Sequence, residues 1–160
     1  MLQVFRSLPV ADRTYREEDV PAAARDYARD TITLGWEDRL RVRGRRITDA
    51  AAEFGTALPR GTVLRGGDCF VLDALRVIVR VIERAEPVFV IEPRTPSEWG
   101  VIAYQIGNCH QPIMITGRAI VCPDVAGMEP LLRQHGIACV RATMPFTPAA
   151  VGPDHRHGVQ

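Results

Sequence analysis

The chain has 160 residues, 46% of them apolar and 24% charged, which is typical of one globular domain or of two small ones. Its net charge of +1 provides no general attraction to nucleic acid or to an anionic membrane. All 20 basic residues are arginines, so no lysine is present for a Schiff base or for a P-loop-type phosphate site.

The lack of a recognisable targeting signal and the spacing of the cysteines indicate a cytoplasmic location. No apolar run approaches the roughly 18 residues that span a bilayer, and the polar, acidic opening of the chain is unlike a signal peptide. We therefore expect a cytoplasmic protein whose four cysteines, which lack CxxC spacing, are reduced thiols. Cys69, Cys122 and Cys139 lie in apolar segments and are predicted to be core residues.

The first half of the sequence indicates short β-strands. Residues 2–5 form a candidate opening strand, and the charged, alanine-rich residues 17–30 predict a loop or a turn of helix. Ile32, Leu34 and Trp36 then alternate with polar positions, which is the period of a half-buried strand.

An arginine-rich run occupies residues 39–46. Its ordinary interpretation is a strand with Leu40 and Val42 facing inward and the arginines facing solvent. A second interpretation is a patch that binds nucleic acid. The run lacks the interleaved aromatic residues of such patches, however, and the chain as a whole is not basic. A face for an acidic partner protein is a third interpretation.

Turn residues and a hairpin complete this half. Pro-Arg-Gly and Gly-Gly-Asp within residues 58–68 predict tight turns. Residues 69–72 and 75–82 predict two strands joined by a two-residue turn. We therefore predict an N-terminal all-β domain over residues 1–86.

The second half begins with a short apolar strand at residues 88–91, followed by a helix start. Thr95 is placed to cap this helix, Pro96 occupies its first position, and Glu98 can close a capping box. Four apolar residues follow at helical spacing: Trp99, Ile102, Ala103 and Ile106. Gly107 is the expected left-handed residue just beyond the helix.

A second helix and three more strands are predicted beyond Gly107. The strands are residues 111–116, 118–122 and 137–142. Asp124 is a candidate cap for the helix, whose apolar face comprises Met128, Leu131, Leu132 and His135. Because proline disrupts helix interiors, Pro130 implies either a helix that begins near Met128 or a kinked one.

The element order β-α-β-β-α-β is that of the ferredoxin-like motif. We therefore predict an α+β protein, in which the N-terminal all-β domain precedes a ferredoxin-like domain over residues 87–148. Residues 149–160 are polar beyond Pro153, and we predict a flexible, histidine-containing tail there.

The four histidines are the main candidates for chemistry, because neutral imidazole is a common ligand of nickel, copper and zinc. Taken alone, a histidine after a helix, such as His110, is more often structural than a metal ligand. His135 is interpreted as structural. His155 and His157 form a His-x-His pair, which can close on an ion. An ordinary polar tail, or a purification-tag remnant, is the alternative.

We predict that His110, His155 and His157 bind a metal ion. Three ligands from a loop and a tail suit a metal that is handed on, whereas a structural ion has four fixed ligands. A two-fold dimer would double this set and could bring two copies of His110 to the axis. A thiol enzyme that uses Cys109 is a further alternative, although sequence neighbours point apart in extended chain.

Residues 106–113, Ile-Gly-Asn-Cys-His-Gln-Pro-Ile, resemble the GN-x-H-x-P segment of UreE-type urease accessory proteins, a family of nickel metallochaperones. Further stretches resemble that family in the same order: residues 36–39, 58–61, 67–68, 86–88, 131–136 and 145–148. The resemblance covers most of the chain, from about residue 31 onward.

The resemblance implies a peptide-binding type of N-terminal domain and a homodimer that shares nickel through its C-terminal domains. By the same resemblance, His110 is the central ligand, and His155 and His157 are tail ligands of a carrier that is not an enzyme. Zn²⁺ and Cu²⁺ would compete with Ni²⁺ for such imidazoles. The implied partners are the urease apoprotein and a GTPase accessory protein, with no nucleic acid and no membrane.

Two departures from the family pattern affect these expectations. Cys109 stands where such proteins usually have arginine, which leaves open whether its thiolate is a metal ligand. The tail lacks the long histidine run of some members, which argues against high-capacity nickel storage. The alternative function is a metal-independent interaction module of a urease-type maturation complex, in which the histidines are incidental.

Overall fold

The computed structural model describes residues 8–149, so the predicted strand at residues 2–5 and the tail histidines lie outside the described residues. The chain divides into two compact units, Met1–Ala85 and Glu86–Gln160. Their order, a β-domain followed by an α+β domain, confirms the predicted fold class.

The first unit contains two three-stranded sheets. One has the order β1-β4-β3, and the other has the order β2-β6-β5. The strands are β1 (Val10–Ala11), β2 (Ala28–Leu34), β3 (Arg43–Ile47), β4 (Glu53–Ala57), β5 (Cys69–Leu72) and β6 (Val77–Glu83). Phe54 of β4 and Phe70 of β5, with ring centroids 5.3 Å apart, join the sheets in one apolar core.

The predicted hairpin is confirmed, since β5 and β6 pair antiparallel. Its turn is longer than the two residues expected from the sequence. A 3-10 helix, Asp73–Leu75, is followed by Arg76 in a left-handed conformation with φ 52°.

The arginine-rich run follows the prediction in part: β3 contains residues 43–46 and Val42 packs against the core, but residues 36–40 are not a strand. Trp36 begins a short helix, α1 (Trp36–Leu40), and Leu40 is exposed. Arg39 is buried, donates to the Leu64 carbonyl at 3.2 Å and lies 3.5 Å from the Glu83 carboxylate. Arg46 is also buried and donates to the Asp38 carbonyl at 3.0 Å. Two arginines therefore face inward, where carbonyl and carboxylate oxygens contact the terminal nitrogens of their guanidinium groups.

The second unit is ferredoxin-like, as predicted. Its described residues form a four-stranded sheet with the order β10-β7-β9-β8. Its elements are β7 (Ala85–Ile91), α2 (Pro96–Asn108), β8 (Met114–Ile115), β9 (Ile120–Pro123), α3 (Met128–Gln134) and β10 (Val140–Pro145). Apolar side chains of both helices and of β7 and β9 form its core, which includes Ile102, Ile106, Phe89 and Cys122.

The start of α2 follows the prediction in part. The Thr95 hydroxyl accepts a hydrogen bond from the Glu98 N–H at 3.2 Å. The Glu98 carboxylate reaches one residue further back than in a capping box and accepts from the Arg94 N–H at 2.7 Å. The first contact satisfies a backbone donor that the helix leaves free, and the second holds the residue just before the cap.

The start of α3 confirms one of two expectations for Pro130, because the helix begins at Met128 and places this proline in its first turn. Asp124 does not cap the helix, and its carboxylate instead pairs with Arg141 at 2.9 Å. The residue before the helix is Gly127, with φ 88°. No helix in residues 8–149 is long and apolar enough to cross a bilayer.

We expect Thr95→Ala to lower the free energy of unfolding by about 1 kcal/mol, because the Glu98 N–H loses its acceptor. Ser97→Ala is the matched control, since Ser97 is an exposed residue of the same turn. Urea denaturation measures both. Equal losses for the two variants would contradict the assigned cap.

Candidate metal site

His110 closes the C-terminal end of α2. The helix continues through Gly107 to Asn108, with Cys109 as its C-cap. The His110 N–H donates to the Gly107 carbonyl at 2.9 Å, and the Gln111 N–H donates to the Ile106 carbonyl at 3.4 Å. These two bonds are those of a Schellman motif, in which the left-handed residue follows the C-cap. That residue is His110, with φ 56°, and the prediction of Gly107 in this role was wrong.

The end of α3 has the same closure with a glycine. The Gly136 N–H donates to Arg133 at 3.1 Å, and the Ile137 N–H donates to Leu132 at 2.8 Å. Gly136, with φ 64°, is the left-handed residue that follows this helix. His110 therefore occupies, at the end of α2, the position that Gly136 occupies at the end of α3. Glycine is the residue best suited to this position.

The left-handed conformation has an energetic cost for His110. An L side chain there costs roughly 1–2 kcal/mol relative to the right-handed region, although histidine tolerates it better than most residues. Such positions cluster at functional sites, where the strain is retained for another purpose. The backbone of His110 therefore supports a functional role for its imidazole, which is exposed.

Cys109 is exposed beside His110 and borders a small depression of about 130 Å³. The other lining residues are Gln111, Val125, Ala126, Gly127 and Met128. The thiol is thus accessible to solvent at the same helix end as the candidate ligand.

Two other cysteines are core residues, as predicted. Burial raises the pKa of the Cys122 thiol to about 12. Burial, together with a hydrogen bond to Glu17, raises the pKa of Cys69 to about 11. Both thiols are therefore protonated at neutral pH, whereas metal ligation requires the thiolate. Cys139 is partly buried, packs against the core of the second unit, and has its pKa raised by burial.

His135 lies away from His110. It is the exposed C-cap of α3 and borders a groove together with Thr95 and Glu98, at the start of α2. His110 lies at the other end of that helix, whose 13 residues span roughly 20 Å. His135 is therefore not part of the candidate site.

The residues that follow β10 return the chain to the neighbourhood of His110. The Ala149 N–H donates to the Ile113 carbonyl at 2.7 Å, and the Thr147 N–H lies 3.3 Å from the Met114 sulfur. Ile113 is three residues after His110. Within residues 8–149 no three His, Cys, Asp or Glu side chains gather closely enough to hold a metal. His155 and His157, the other predicted ligands, lie outside the described residues.

The fold and the candidate site define a class of two-domain protein, with a β-domain, a ferredoxin-like domain and an exposed histidine closing its first helix. The two domain models of the UreE urease accessory protein match residues 13–83 and 86–160. The chain therefore belongs to the UreE urease accessory protein family.

Individual relatives agree with this membership. A UreE of Synechococcus sp. is 36% identical over 121 residues, which is 76% of this chain and 80% of the relative. UreE proteins of Paraburkholderia xenovorans and Burkholderia vietnamiensis are 33% and 32% identical over 80% of this chain. The alignments span only 57% and 64% of the lengths of those two relatives.

We expect His110→Gly to raise the free energy of unfolding, by up to about 1 kcal/mol, because glycine adopts the left-handed region without a side-chain penalty. Gly136→Ala, at the matching position of α3, should lower it by about the same amount. Chemical denaturation of the metal-free protein measures both changes. A clear loss of stability in His110→Gly would show that the imidazole makes stabilising contacts and is not a strained residue.

Proposed function

We propose that this chain is a nickel-binding metallochaperone that delivers Ni²⁺ for assembly of the urease active site. The family membership supports a role in urease maturation, and the relatives are named as accessory proteins, which fits a protein that is not an enzyme. The observation that supports nickel binding is the exposed His110, held in a left-handed conformation at the end of α2.

His110 is proposed as the central nickel ligand. A neutral imidazole nitrogen is a suitable donor for Ni²⁺, and the hydrogen bonds of the Schellman motif fix the backbone from which this imidazole projects. The ring needs no rearrangement of the helix to meet an ion, because it is already exposed. Zn²⁺ and Cu²⁺ are expected to compete in vitro, since imidazole does not exclude them.

A second copy of the chain is proposed to supply a second His110. The exposed side of α2 carries Val101 and Tyr104, with 55% and 65% of their surface accessible. Gly100 and Gly107 lie on the same helix, and a methyl group added at either would meet no atom within 4 Å. This apolar face leads along α2 to His110, so a two-fold contact between two such faces would bring both histidines toward one axis.

The tail histidines are proposed to complete the nickel shell. His155 is six residues beyond Ala149, which is hydrogen-bonded beside Ile113. Six residues reach at most about 20 Å, which exceeds the three-residue step from Ile113 back to His110. The tail of one chain is therefore long enough to bring His155 and His157 to His110 of the same subunit.

Nickel is the cargo of the proposed site, and transfer needs ligands that can leave. Withdrawal of His155 and His157 would expose the ion while His110 still held it. The urease apoprotein and a GTPase accessory protein are the proposed recipients in a homodimer-based assembly. This division of roles separates a fixed ligand on the helix end from releasable ligands on the tail.

Calorimetric titration with Ni²⁺, combined with light scattering, should show one ion per dimer in the wild-type protein. We expect His110→Ala to weaken this binding at least tenfold, because the central nitrogen donor is lost. His135→Ala is the matched control, since it removes an exposed histidine at the other helix end. Undiminished nickel binding in His110→Ala would falsify the proposal.

The alternative function is a metal-independent interaction module that would use exposed residues of the first unit. Val10 of β1 and Ile47 of β3 are both largely exposed, and Arg43 lies in the same edge strand as Ile47. β1 and β3 are the two edges of their sheet, and an exposed edge strand could bind a partner peptide without metal. Nothing in these strands depends on the histidines.

Binding to urease apoprotein distinguishes the two functions. A pull-down is made with and without a chelator, using wild type and a variant in which His110, His155 and His157 are alanine. If the proposed metallochaperone needs its metal to engage the apoprotein, the chelator and the triple variant should each weaken capture of the apoprotein. Equal capture of the apoprotein with the chelator and with the triple variant would favour the metal-independent interaction module.

A further inference from the structure

β3 is an edge strand, because within residues 8–149 it pairs only with β4. Hydrogen bonds at its two ends show which of its backbone groups point toward that neighbour. Before β3, the Val42 carbonyl accepts from the Leu58 N–H at 2.9 Å. After β3, the Thr48 N–H donates to the Ala52 carbonyl at 2.9 Å. The even-numbered residues from 42 to 48 therefore direct their backbone groups toward β4, since this direction alternates along a strand.

Arg43, Arg45 and Ile47 form the opposite edge of β3. Their N–H and C=O groups point away from β4, and their side chains are exposed. Alternate residues of a strand share one face of the sheet, so these three side chains lie side by side. The free edge therefore combines backbone hydrogen-bonding groups with two guanidinium groups and with an isoleucine of which 57% is accessible.

The two guanidinium groups differ in their surroundings. Arg45 forms an ion pair with Glu53 of β4. Arg43 lies opposite Ala57, and among residues 8–149 its side chain has no hydrogen-bonded or ionic partner. One positive charge is therefore left without a carboxylate at the free edge of β3.

The arginines argue against a second copy of the chain as the strand that completes this sheet. Two copies of β3 paired about a two-fold axis would place arginine beside arginine, and like charges on neighbouring strands are destabilising. Charged side chains commonly protect edge strands from self-association in this way. A strand that carries carboxylates would instead be stabilised by the same arginines, because oppositely charged cross-strand pairs attract each other.

We infer that the free edge of β3 binds an extended acidic segment of a partner protein as an added strand. The segment has carboxylates at alternate positions, opposite Arg43 and Arg45, and an apolar residue opposite Ile47. Backbone hydrogen bonds supply the affinity, and the arginines select the charge of the segment. This binding uses no metal and no histidine, so it goes beyond nickel binding and does not depend on it.

The probe is a fluorescein-labelled peptide, Glu-Thr-Glu-Thr-Val-Thr-Glu-Thr-Glu, whose symmetric pattern fits β3 in either strand direction. Fluorescence anisotropy with the full-length protein should show saturable binding, and its absence would overturn the inference. We expect Arg43→Glu to weaken binding about tenfold, because an attractive cross-strand pair becomes a repulsive one. Arg25→Glu, which makes the same charge change at an exposed arginine outside the strands, is the matched control and should leave the affinity unchanged.

Reversing the charge of the peptide separates recognition from a folding defect. Arg43→Glu should bind a peptide in which lysine replaces every glutamate more tightly than the wild type binds it. Circular dichroism checks that the variant is folded. If the folded variant bound the lysine peptide no better than the wild type does, Arg43 would not face the charges of the added strand, and the inference would be wrong.

Backbone methylation of the peptide separates strand pairing from simple charge attraction. In an added strand only every second N–H faces β3. N-methylation of one alternate set of residues should therefore abolish binding, whereas N-methylation of the other set should not. Equal effects of the two sets, or equally tight binding of a single-stranded oligonucleotide of the same charge, would contradict strand addition.

A chelator tests the independence from metal. All peptide titrations are made with and without EDTA, and the affinity should be the same in both. Peptide binding that disappeared with EDTA would overturn the inference. Because the peptide is titrated against metal-free protein, a failure of nickel binding leaves this result unchanged, and a failure of peptide binding leaves the nickel titration unchanged.

Discussion

The closure of α2 by two backbone hydrogen bonds is the constraint on which the candidate site depends. The bond from the Gln111 N–H to the Ile106 carbonyl can form only if the residue between Cys109 and Gln111 is left-handed. Ile106 is itself completely buried, so this end of the helix is fixed to the core of its unit. The packing of Ile106, four residues before His110, therefore determines where the His110 imidazole lies.

The end of α3, in the same unit, can be compared with the end of α2. α3 ends in the same hydrogen-bond pattern, and the left-handed residue there is Gly136. The sequence signature of the two helix ends is nevertheless different. Gly107 is two residues before the C-cap of α2 and lies inside the helix. Glycine near a helix end usually marks its termination, so the sequence predicts the left-handed position at Gly107.

Local signals in the sequence were sufficient for most of the ferredoxin-like domain. The Thr95 cap, the apolar spacing through Ile106 and the proline near the start of α3 each depend on residues within one or two turns. Residues 36–40 were predicted wrongly because Arg39 is buried through contacts with Leu64 and Glu83, which are distant in sequence. The hydrogen bond from the Ala149 N–H to the Ile113 carbonyl escaped prediction for the same reason, because these residues are distant in sequence. The neighbours of His110 in the sequence predict a metal ligand there, but they do not predict its left-handed backbone.

The contrast among the cysteines gives the molecule a built-in attachment point. Cys69 and Cys122 are buried and their thiols stay protonated, Cys139 is partly covered, and Cys109 is open to solvent. A thiol-reactive spin label or fluorophore will therefore attach first at Cys109, without any engineered cysteine. The label will be one residue from His110, so its spectrum can report the arrival of a paramagnetic ion. In an assembly of two chains, the distance between two such labels measures how far apart the two helix ends lie.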